Sequence, residues 1–206
     1  MISAAAPIVS YAHGMHTTRL EAFSDAVIAI IMTIMVLELR PPEGAEWTAL
    51  LPLIPAFLAY VLSFLYLGIY WNNHHHMMHA TDHVDGRILW ANMHLLFWLS
   101  LVPFATAWMA ENDFAEIPTV LYGCVLLMAA VAYFILSRAI MAHKDANHDL
   151  REAVGKDVKG KISLVAYVLA IPLAFVEPRG AIAIFALVAL VWLVPDPRIE
   201  RLYGHR

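Results

Sequence analysis

The sequence predicts an all-α membrane protein with six transmembrane helices per subunit and both termini in the cytoplasm. Three observations support this fold class: the composition, the spacing of the apolar segments and the distribution of lysine and arginine. Apolar residues make up 61% of the 206-residue chain, the mean hydropathy is +0.67 and only 15% of the residues are charged. Soluble domains carry about 25% charged residues. The composition therefore indicates a chain that is embedded in a bilayer.

Six apolar segments approach or exceed the ~20 residues that a helix needs to cross a hydrocarbon core of ~30 Å. They span residues 20–39, 48–71, 88–110, 117–142, 161–177 and 179–195. The last two are short and are separated only by Glu177-Pro178-Arg179-Gly180, which predicts a helical hairpin with a tight turn. Pro41-Pro42 and Pro195-Asp196-Pro197 are expected to end the first and sixth helices, because proline cannot continue a helix.

Lysine and arginine orient the predicted helices. If the N-terminus is cytoplasmic, the inside segments contain all of these residues except two, Arg40 and Arg179. The positive-inside rule then places both termini in the cytoplasm and residues 143–160 in an internal loop. Residues 1–18 lack a basic stretch followed by a long apolar core, so we predict a flexible tail here rather than a signal peptide. Residues 19–206 are predicted to form a single transmembrane domain.

Other function classes receive little support. The net charge of −4 is not concentrated in a tail, so nothing in the chain indicates binding of nucleic acid. Cys124 is the only cysteine, which excludes an intrachain disulfide. We predict no enzymatic activity and no cofactor.

The first predicted helix carries a carboxylate, Asp25, at the head of an apolar run. An intramembrane carboxylate costs at least ~2.5 kcal/mol, so it is expected to have a partner or a water-filled path. Thr33, Ile34 and Leu37 each fall within about 60° of Ile30 at ~100° per residue, and Asp25 lies about 140° from Ile30. The apolar stripe and the carboxylate are therefore predicted to face different neighbours.

The motif Arg19-x-x-x-Phe23-Ser24-Asp25 at the head of the first span resembles the prokaryotic members of the transmembrane protein 175 family, a family of lysosomal potassium channels. Further along the chain, the resemblance rests on three more features. They are Trp71-x-x-His74, or its neighbour His75, at the end of the second helix, Asn92 early in the third helix, and the run from Leu101 to Thr106. The first half of the chain is covered in specific residues, and the second half only in hydropathy and topology.

This resemblance implies a homotetramer in the lipid bilayer, in which four first helices line a central pore for potassium and other monovalent cations. No Thr-Val-Gly-Tyr-Gly filter occurs in the chain, so selectivity would arise from a side-chain constriction and partial dehydration of the ion. By position relative to the motif, Ile30 is the implied constriction, and Thr33 is the next layer. Ile34 and Leu37 would continue the pore wall. Alternatively, the stripe is ordinary packing and the Thr33 hydroxyl bonds to the carbonyl of Ala29.

Arg19, Ser24 and Asp25 are expected to form a structural clamp at the base of the first helix rather than an ion site. A buried charge on Asp25 requires hydrogen-bond donors. Arg19, Trp71, the His74–His76 group and Asn92 are expected to supply them, because the second helix ends and the third begins on the cytoplasmic side. At the other end, Glu38 is expected to be a solvated charge or to concentrate cations near the pore.

A histidine cluster supports two alternative functions. His74, His75, His76, His79 and His83 lie within ten residues, and His75, His79 and His83 share one face if the second helix continues. Such spacing is typical of zinc or copper ligands, and His75 with His94 could hold a haem. The alternatives are thus a haem- or metal-binding membrane protein and a proton-coupled transporter that uses Asp25 and a histidine relay. Because no second metal-binding motif accompanies the cluster, we predict no metal.

Overall fold

The computed structural model describes residues 15–79, 83–142 and 158–193. These residues form seven α-helices, one 3₁₀ helix and two very short strands. The α-helices are α1 Thr17–Leu37, α2 Ile54–Met78, α3 Gly86–Ser100, α4 Val102–Glu111, α5 Glu116–Ala142, α6 Val158–Ala174 and α7 Pro178–Leu193. The 3₁₀ helix, Trp47–Leu53, leads directly into α2. Strand β1, Met15–His16, pairs antiparallel with β2, His83–Val84.

Each of the six predicted apolar segments contains a helix within the described residues, which confirms the all-α class. Pro195-Asp196-Pro197, which were expected to end the sixth helix, lie outside the described residues. Four continuous helical segments are long and apolar enough to cross a membrane: Thr17–Leu37, Trp47–Met78, Gly86–Glu111 and Glu116–Ala142. Helix α7 is apolar but shorter. Of the predicted tail, residues 1–14 lie outside the described residues, and residues 15–18 belong to β1 and α1. Most of the predicted loop, residues 143–157, also lies outside them.

The third predicted span is divided into α3 and α4 at Leu101. Pro103 has no backbone N–H to donate to the carbonyl of Leu99, so the regular hydrogen-bond ladder is interrupted there. The N–H of Leu101 instead reaches back three residues to the carbonyl of Trp98, at 3.2 Å. The ladder resumes when the N–H of Ala105 donates to the carbonyl of Leu101, at 3.0 Å. The two helices therefore follow one another with a single residue between them.

Helix α2 is longer than its apolar segment. It continues through the polar residues after Trp71 and ends at Met78, seven residues beyond the predicted segment end at residue 71. His75 of the predicted motif lies in its last turn. Hydropathy marks the end of the lipid-compatible segment, whereas a helix continues as long as its backbone bonds are made. Asn73 and His75 consequently lie on a helix, whereas His83 lies in β2 and does not extend the His75–His79 repeat.

The predicted hairpin at the end of the chain is present, but its turn is earlier than predicted. Helix α6 ends at Ala174, and the turn is formed by residues 175–177. The carbonyl of Leu173 accepts bonds from the N–H groups of Val176, at 3.0 Å, and Glu177, at 2.8 Å. Pro178 then opens α7, because the first position of a helix needs no N–H and suits the fixed φ of proline.

The core lies between α5 and its neighbours α3, α4 and α6, with α2 packed against α1, α4 and α7. A hydrogen-bonded group joins three of these helices inside it. The Ser63 hydroxyl of α2 lies 2.7 Å from the Thr106 hydroxyl of α4 and 2.9 Å from the Tyr122 hydroxyl of α5. Helix α1 lies at the side of this core and contacts α2, α3 and α4. It buries only one face, which consists of Thr17, Leu20, Ser24, Ile28, Ile31 and Met35.

Candidate functional site

The predicted stripe of α1 lies on the exposed face of the subunit. Ile30 is 57% exposed, Ile34 41% and Leu37 78%, and Thr33 is also exposed. This face continues into a groove of about 740 Å³ between α1 and α4, where Phe104 forms part of the wall. An apolar helix face that its own subunit leaves uncovered is available either to lipid or to a second copy of the chain.

Thr33 donates its hydroxyl hydrogen to the carbonyl of Ile30 at 2.8 Å. The expected backbone partner, Ala29, is therefore replaced by the residue one position later. Threonine in a helix can bond to either the i−3 or the i−4 carbonyl. The hydroxyl oxygen retains its lone pairs, because its hydrogen is committed to the backbone. The exposed oxygen is thus an acceptor that a cation could approach.

Ser24 lies on the buried face of α1 and starts a chain of hydrogen bonds across three helices. Its hydroxyl donates to the carbonyl of Leu20 at 2.8 Å and accepts from Asn92 Nδ2 of α3 at 2.9 Å. Asn92 Oδ1 lies 2.7 Å from His74 Nε2 of α2. Because an amide oxygen only accepts, His74 Nε2 must carry the hydrogen. Asn92 therefore bonds to Ser24 and His74 bonds to Asn92, and neither bonds to Asp25 as the clamp hypothesis implied.

The three side chains that these hydrogen bonds connect are fully buried, with 0% exposure for Ser24, His74 and Asn92. The second ring nitrogen of the histidine, Nδ1, is also buried and has no hydrogen-bond partner among the described residues. Of the two ring nitrogens of His74, only Nε2 therefore has a hydrogen-bond partner among the described residues.

Asp25 contacts α2 at a different point. Its Oδ1 accepts a hydrogen bond from Trp71 Nε1 at 3.0 Å. The carboxylate is partly buried, and the Trp71 side chain is 44% exposed, so this contact lies at the subunit surface rather than in its core. The expectation that Asp25 meets another helix of its own subunit agrees with this geometry.

Glu21 is a member of this region that the sequence analysis did not identify. It lies one helical turn before Asp25, and its Oε1 accepts a hydrogen bond from His75 Nδ1 of α2 at 2.8 Å. His79 Nε2 lies 3.6 Å from the same oxygen. The signal was present in the sequence, since Glu21 and Asp25 are four residues apart and share one helix face.

The remaining residues of the motif face outward. Arg19 is exposed and forms no hydrogen bond or ion pair with the described residues, and Phe23 is 48% exposed. Within the subunit, Arg19 therefore takes no part in the predicted clamp.

His94, which was considered as a haem ligand together with His75, has a partner in its own helix. Its Nε2 accepts a hydrogen bond from Trp98 Nε1 at 2.9 Å.

The far end of α1 carries charge as well. Glu38 and Arg40 border the groove between α1 and α4, and Arg40 lies 3.5 Å from Glu111 at the end of α4. Both members of this ion pair are largely exposed, so its contribution to stability is at most about 1 kcal/mol. Glu38 remains an exposed charge next to the stripe.

Comparison with known proteins places this arrangement in a family. The family model described as endosomal/lysosomal potassium channel TMEM175 matches residues 19–103, a range that includes Arg19, Asp25, Trp71, His74 and Asn92. A potassium channel of Chryseobacterium sp. (strain P1-3) is 54% identical over 183 residues, which cover 89% of this chain and 95% of that protein.

A solved structure gives the same result. The crystal structure of a lysosomal potassium-selective channel TMEM175 homolog from Chamaesiphon minutus matches with a TM-score of 0.77 and 27% sequence identity. The match covers 86% of this chain and 96% of that one. The endosomal/lysosomal proton channel TMEM175 of Gallus gallus is 28% identical over 156 residues, 68% of this chain and 31% of that protein. This multi-pass membrane protein therefore belongs to the TMEM175 family.

Proposed function

We propose that this protein is a potassium-preferring cation channel, formed by a homotetramer in which α1 of each subunit lines a central pore. The relatives from Chryseobacterium and Chamaesiphon are named as potassium channels, which supports the choice of ion. The observation that carries the proposal is the exposed stripe of α1, where three apolar side chains and one hydroxyl share a face that the subunit does not cover.

The composition of this stripe favours a pore wall over a lipid-facing surface. On a lipid-facing helix a hydroxyl would serve only its own backbone. A ring of hydroxyls facing an axis can in addition replace part of the hydration shell of an ion. Thr33 suits this role because its hydrogen is held by the carbonyl of Ile30 and its oxygen is left as an acceptor. Four such oxygens would form a selectivity layer.

Ile30 is the proposed constriction, one helical turn before Thr33. A ring of branched apolar side chains expels water when it is narrow, and an ion cannot pass a dehydrated segment without losing its hydration shell. Ile34 and Leu37 continue the apolar wall beyond the hydroxyl layer. Glu38, exposed just after them, raises the local concentration of cations at the mouth of the pore.

The polar contacts at the start of α1 are proposed to hold this helix in place. Ser24 is bonded to α3 through Asn92, and Asp25 is bonded to α2 through Trp71. These bonds link the pore-lining helix to two neighbours of its own subunit, on the sides away from the stripe. They act as a structural clamp, and the permeating ion does not contact them.

The channel is proposed to lie in the cell membrane with both termini in the cytoplasm. The placement rests on the uneven distribution of lysine and arginine, which leaves only Arg40 and Arg179 on the outside. No enzymatic step is needed for conduction, and no cofactor is proposed for it.

Recording from purified protein in a planar bilayer tests this function. Under a potassium/sodium gradient we expect discrete unitary currents with a reversal potential displaced toward that of potassium. Saturable flux without unitary steps would instead indicate the proton-coupled transporter, and a reversal potential at which potassium and sodium are equivalent would contradict potassium preference. A chemical cross-linking ladder that ends at four subunits is the matching expectation for the tetramer.

A further inference from the structure

Glu21, His75 and His79 form a three-residue cluster between α1 and α2 that the conduction pathway does not use. The ligand atoms that they offer, one carboxylate oxygen and two imidazole nitrogens, all lie within 4.8 Å of one another. Glu21 is mostly buried, with 17% of its side chain exposed, whereas His75 and His79 are 39% and 49% exposed. The cluster is thus anchored on the protein side and open to solvent on the other.

The distances suit a tetrahedral metal ion. At metal–ligand distances of ~2.0–2.1 Å, two ligands of a tetrahedral zinc ion lie about 3.3 Å apart. Glu21 Oε1 lies 2.8 Å from His75 Nδ1 and 3.6 Å from His79 Nε2, values that bracket this separation. The two histidine rings are nearly perpendicular, with centroids 4.4 Å apart. Small movements of these side chains, and no movement of the helices, would complete three positions of a tetrahedron.

We propose that Glu21, His75 and His79 bind one divalent transition-metal ion per subunit, with Zn²⁺ as the best match to the ligands. Imidazole favours zinc and copper over magnesium and calcium, which prefer oxygen ligands throughout. Three protein ligands leave the fourth position to water, and the exposure of both histidines gives the ion a path of entry. For coordination through Nδ1, the neutral His75 ring would carry its hydrogen on Nε2 instead, and the hydrogen bond from Nδ1 to Glu21 would be replaced by bonds from both groups to the ion.

The site would tie α1 to α2 next to the Asp25–Trp71 contact. Glu21 and Asp25 lie one turn apart on α1, and Trp71 and His75 lie one turn apart on α2, with their rings stacked at 6.2 Å. A bound ion would replace a single hydrogen bond by three coordinate bonds at this position. The start of α1 would then be held more firmly against α2, and this consequence is measurable as stability whether or not the protein conducts ions.

Zinc titration of the tag-free, full-length protein in detergent tests the site. Isothermal titration calorimetry should give one ion per subunit. Glu21→Gln and His79→Gln keep hydrogen-bonding groups but should each lower the affinity by more than the ~10- to 100-fold typical of losing an outer-sphere partner. His76→Gln is the matched control, because His76 lies between the two proposed histidine ligands on α2 but is not part of the cluster. It should bind zinc as the parent does.

Thermal unfolding gives a second readout. Saturating Zn²⁺ should raise the melting temperature of the parent and of His76→Gln and leave that of Glu21→Gln and His79→Gln unchanged, since only a ligand of the folded state stabilises it. If those variants do not fold, Co²⁺ bound to the parent should still show the intense visible absorption of a tetrahedral ion. Equal zinc affinity of parent and variants, or a parent without a saturable zinc site or with only the weak spectrum of octahedral Co²⁺, would overturn the proposal.

Discussion

Replacement of Asn92 by leucine tests whether the hydrogen-bond chain across α1, α2 and α3 stabilises the subunit. The substitution preserves volume but removes the donor to Ser24 and the acceptor for His74 Nε2. Ser24 keeps its hydrogen bond to the carbonyl of Leu20, so the free energy of folding lost at Ser24 is small. His74 loses its only side-chain partner, and since Nδ1 is already unpartnered among the described residues, both polar atoms of a fully buried ring would then be unsatisfied.

The expected cost of Asn92→Leu is about 1–2 kcal/mol. This value lies above the ~0.6 kcal/mol average for interhelical hydrogen bonds in a membrane protein, because a buried group is left without a partner. It lies below the ~3 kcal/mol upper limit for such a group, because the unfolded state in detergent offers other partners. Asn112→Leu, at the exposed end of α4, is the matched control and should change stability by less than about 0.5 kcal/mol.

A second substitution makes the reasoning refutable. Removing both partners of a buried hydrogen bond can be nearly neutral when the shapes are kept. The double variant Asn92→Leu with His74→Leu should therefore be more stable than Asn92→Leu alone. Denaturant unfolding in detergent, followed by near-ultraviolet circular dichroism, measures all four proteins of the cycle. If the double variant loses the sum of the two single losses, the chain is not a coupled unit and the argument from an unsatisfied His74 is wrong.

Three further substitutions test the proposed pore. Ile30→Asn should widen and wet the constriction, which raises unitary conductance and weakens discrimination between cations; Val27→Asn is the control, and equal effects of the two would place the constriction elsewhere. Thr33→Val replaces a hydroxyl by a methyl group of similar size, so it should preserve assembly and shift the reversal potential under a potassium/sodium gradient toward that of sodium; an unchanged potential would show that the hydroxyl serves only its own helix. Asp25→Asn weakens the charge-assisted bond to Trp71 and should lower the melting temperature with little effect on selectivity, whereas a stable protein with altered ion preference would contradict an off-pore carboxylate.

The helices were predictable because hydropathy and proline report on them directly. The apolar segments predicted every long helix among residues 15–79, 83–142 and 158–193, and Pro41-Pro42 indeed follow the end of α1. The end of α2 was not predictable from hydropathy, because residues 72–76 are polar but remain part of the helix. The division at Leu101 follows from the missing N–H of Pro103. It was not predicted, because the apolar segment is continuous across Pro103 and hydropathy alone indicates a single helix.

The polar contacts were predictable as a group but not as pairs. Trp71, His74 and Asn92 were expected near the start of α1, and they are there. Their pairing depends on the rotation and depth of each helix, which one-dimensional spacing does not contain. The contacts of Ser63 with Thr106 and Tyr122 had no local signal at all, since each residue is a single hydroxyl in an apolar helix.

The rotation of α1 could not be derived from hydrophobicity, and this gives its polar contacts their importance. Its buried face contains Ile28 and Ile31 and its exposed face contains Ile30 and Ile34, so the two faces are almost equally apolar. In a bilayer, burial of one such face rather than the other gains little, because lipid is as apolar as the protein core. A rotation by one residue, about 100°, would remove Ile30 from its face at small hydrophobic cost.

What resists such a rotation is the set of directional contacts at the start of the helix. Ser24 must meet Asn92, and Glu21 and Asp25 must meet His75 and Trp71. Each contact is broken if α1 turns by one residue. Loss of the bond between Ser24 and Asn92 would also leave buried polar groups unsatisfied. After Asp25, the only side-chain hydrogen bond that α1 makes within the described part of the chain is the one from Thr33 to its own backbone. The first three turns of the helix therefore determine which side chains the later turns present on the exposed face, and the proposed pore depends on residues that do not touch it.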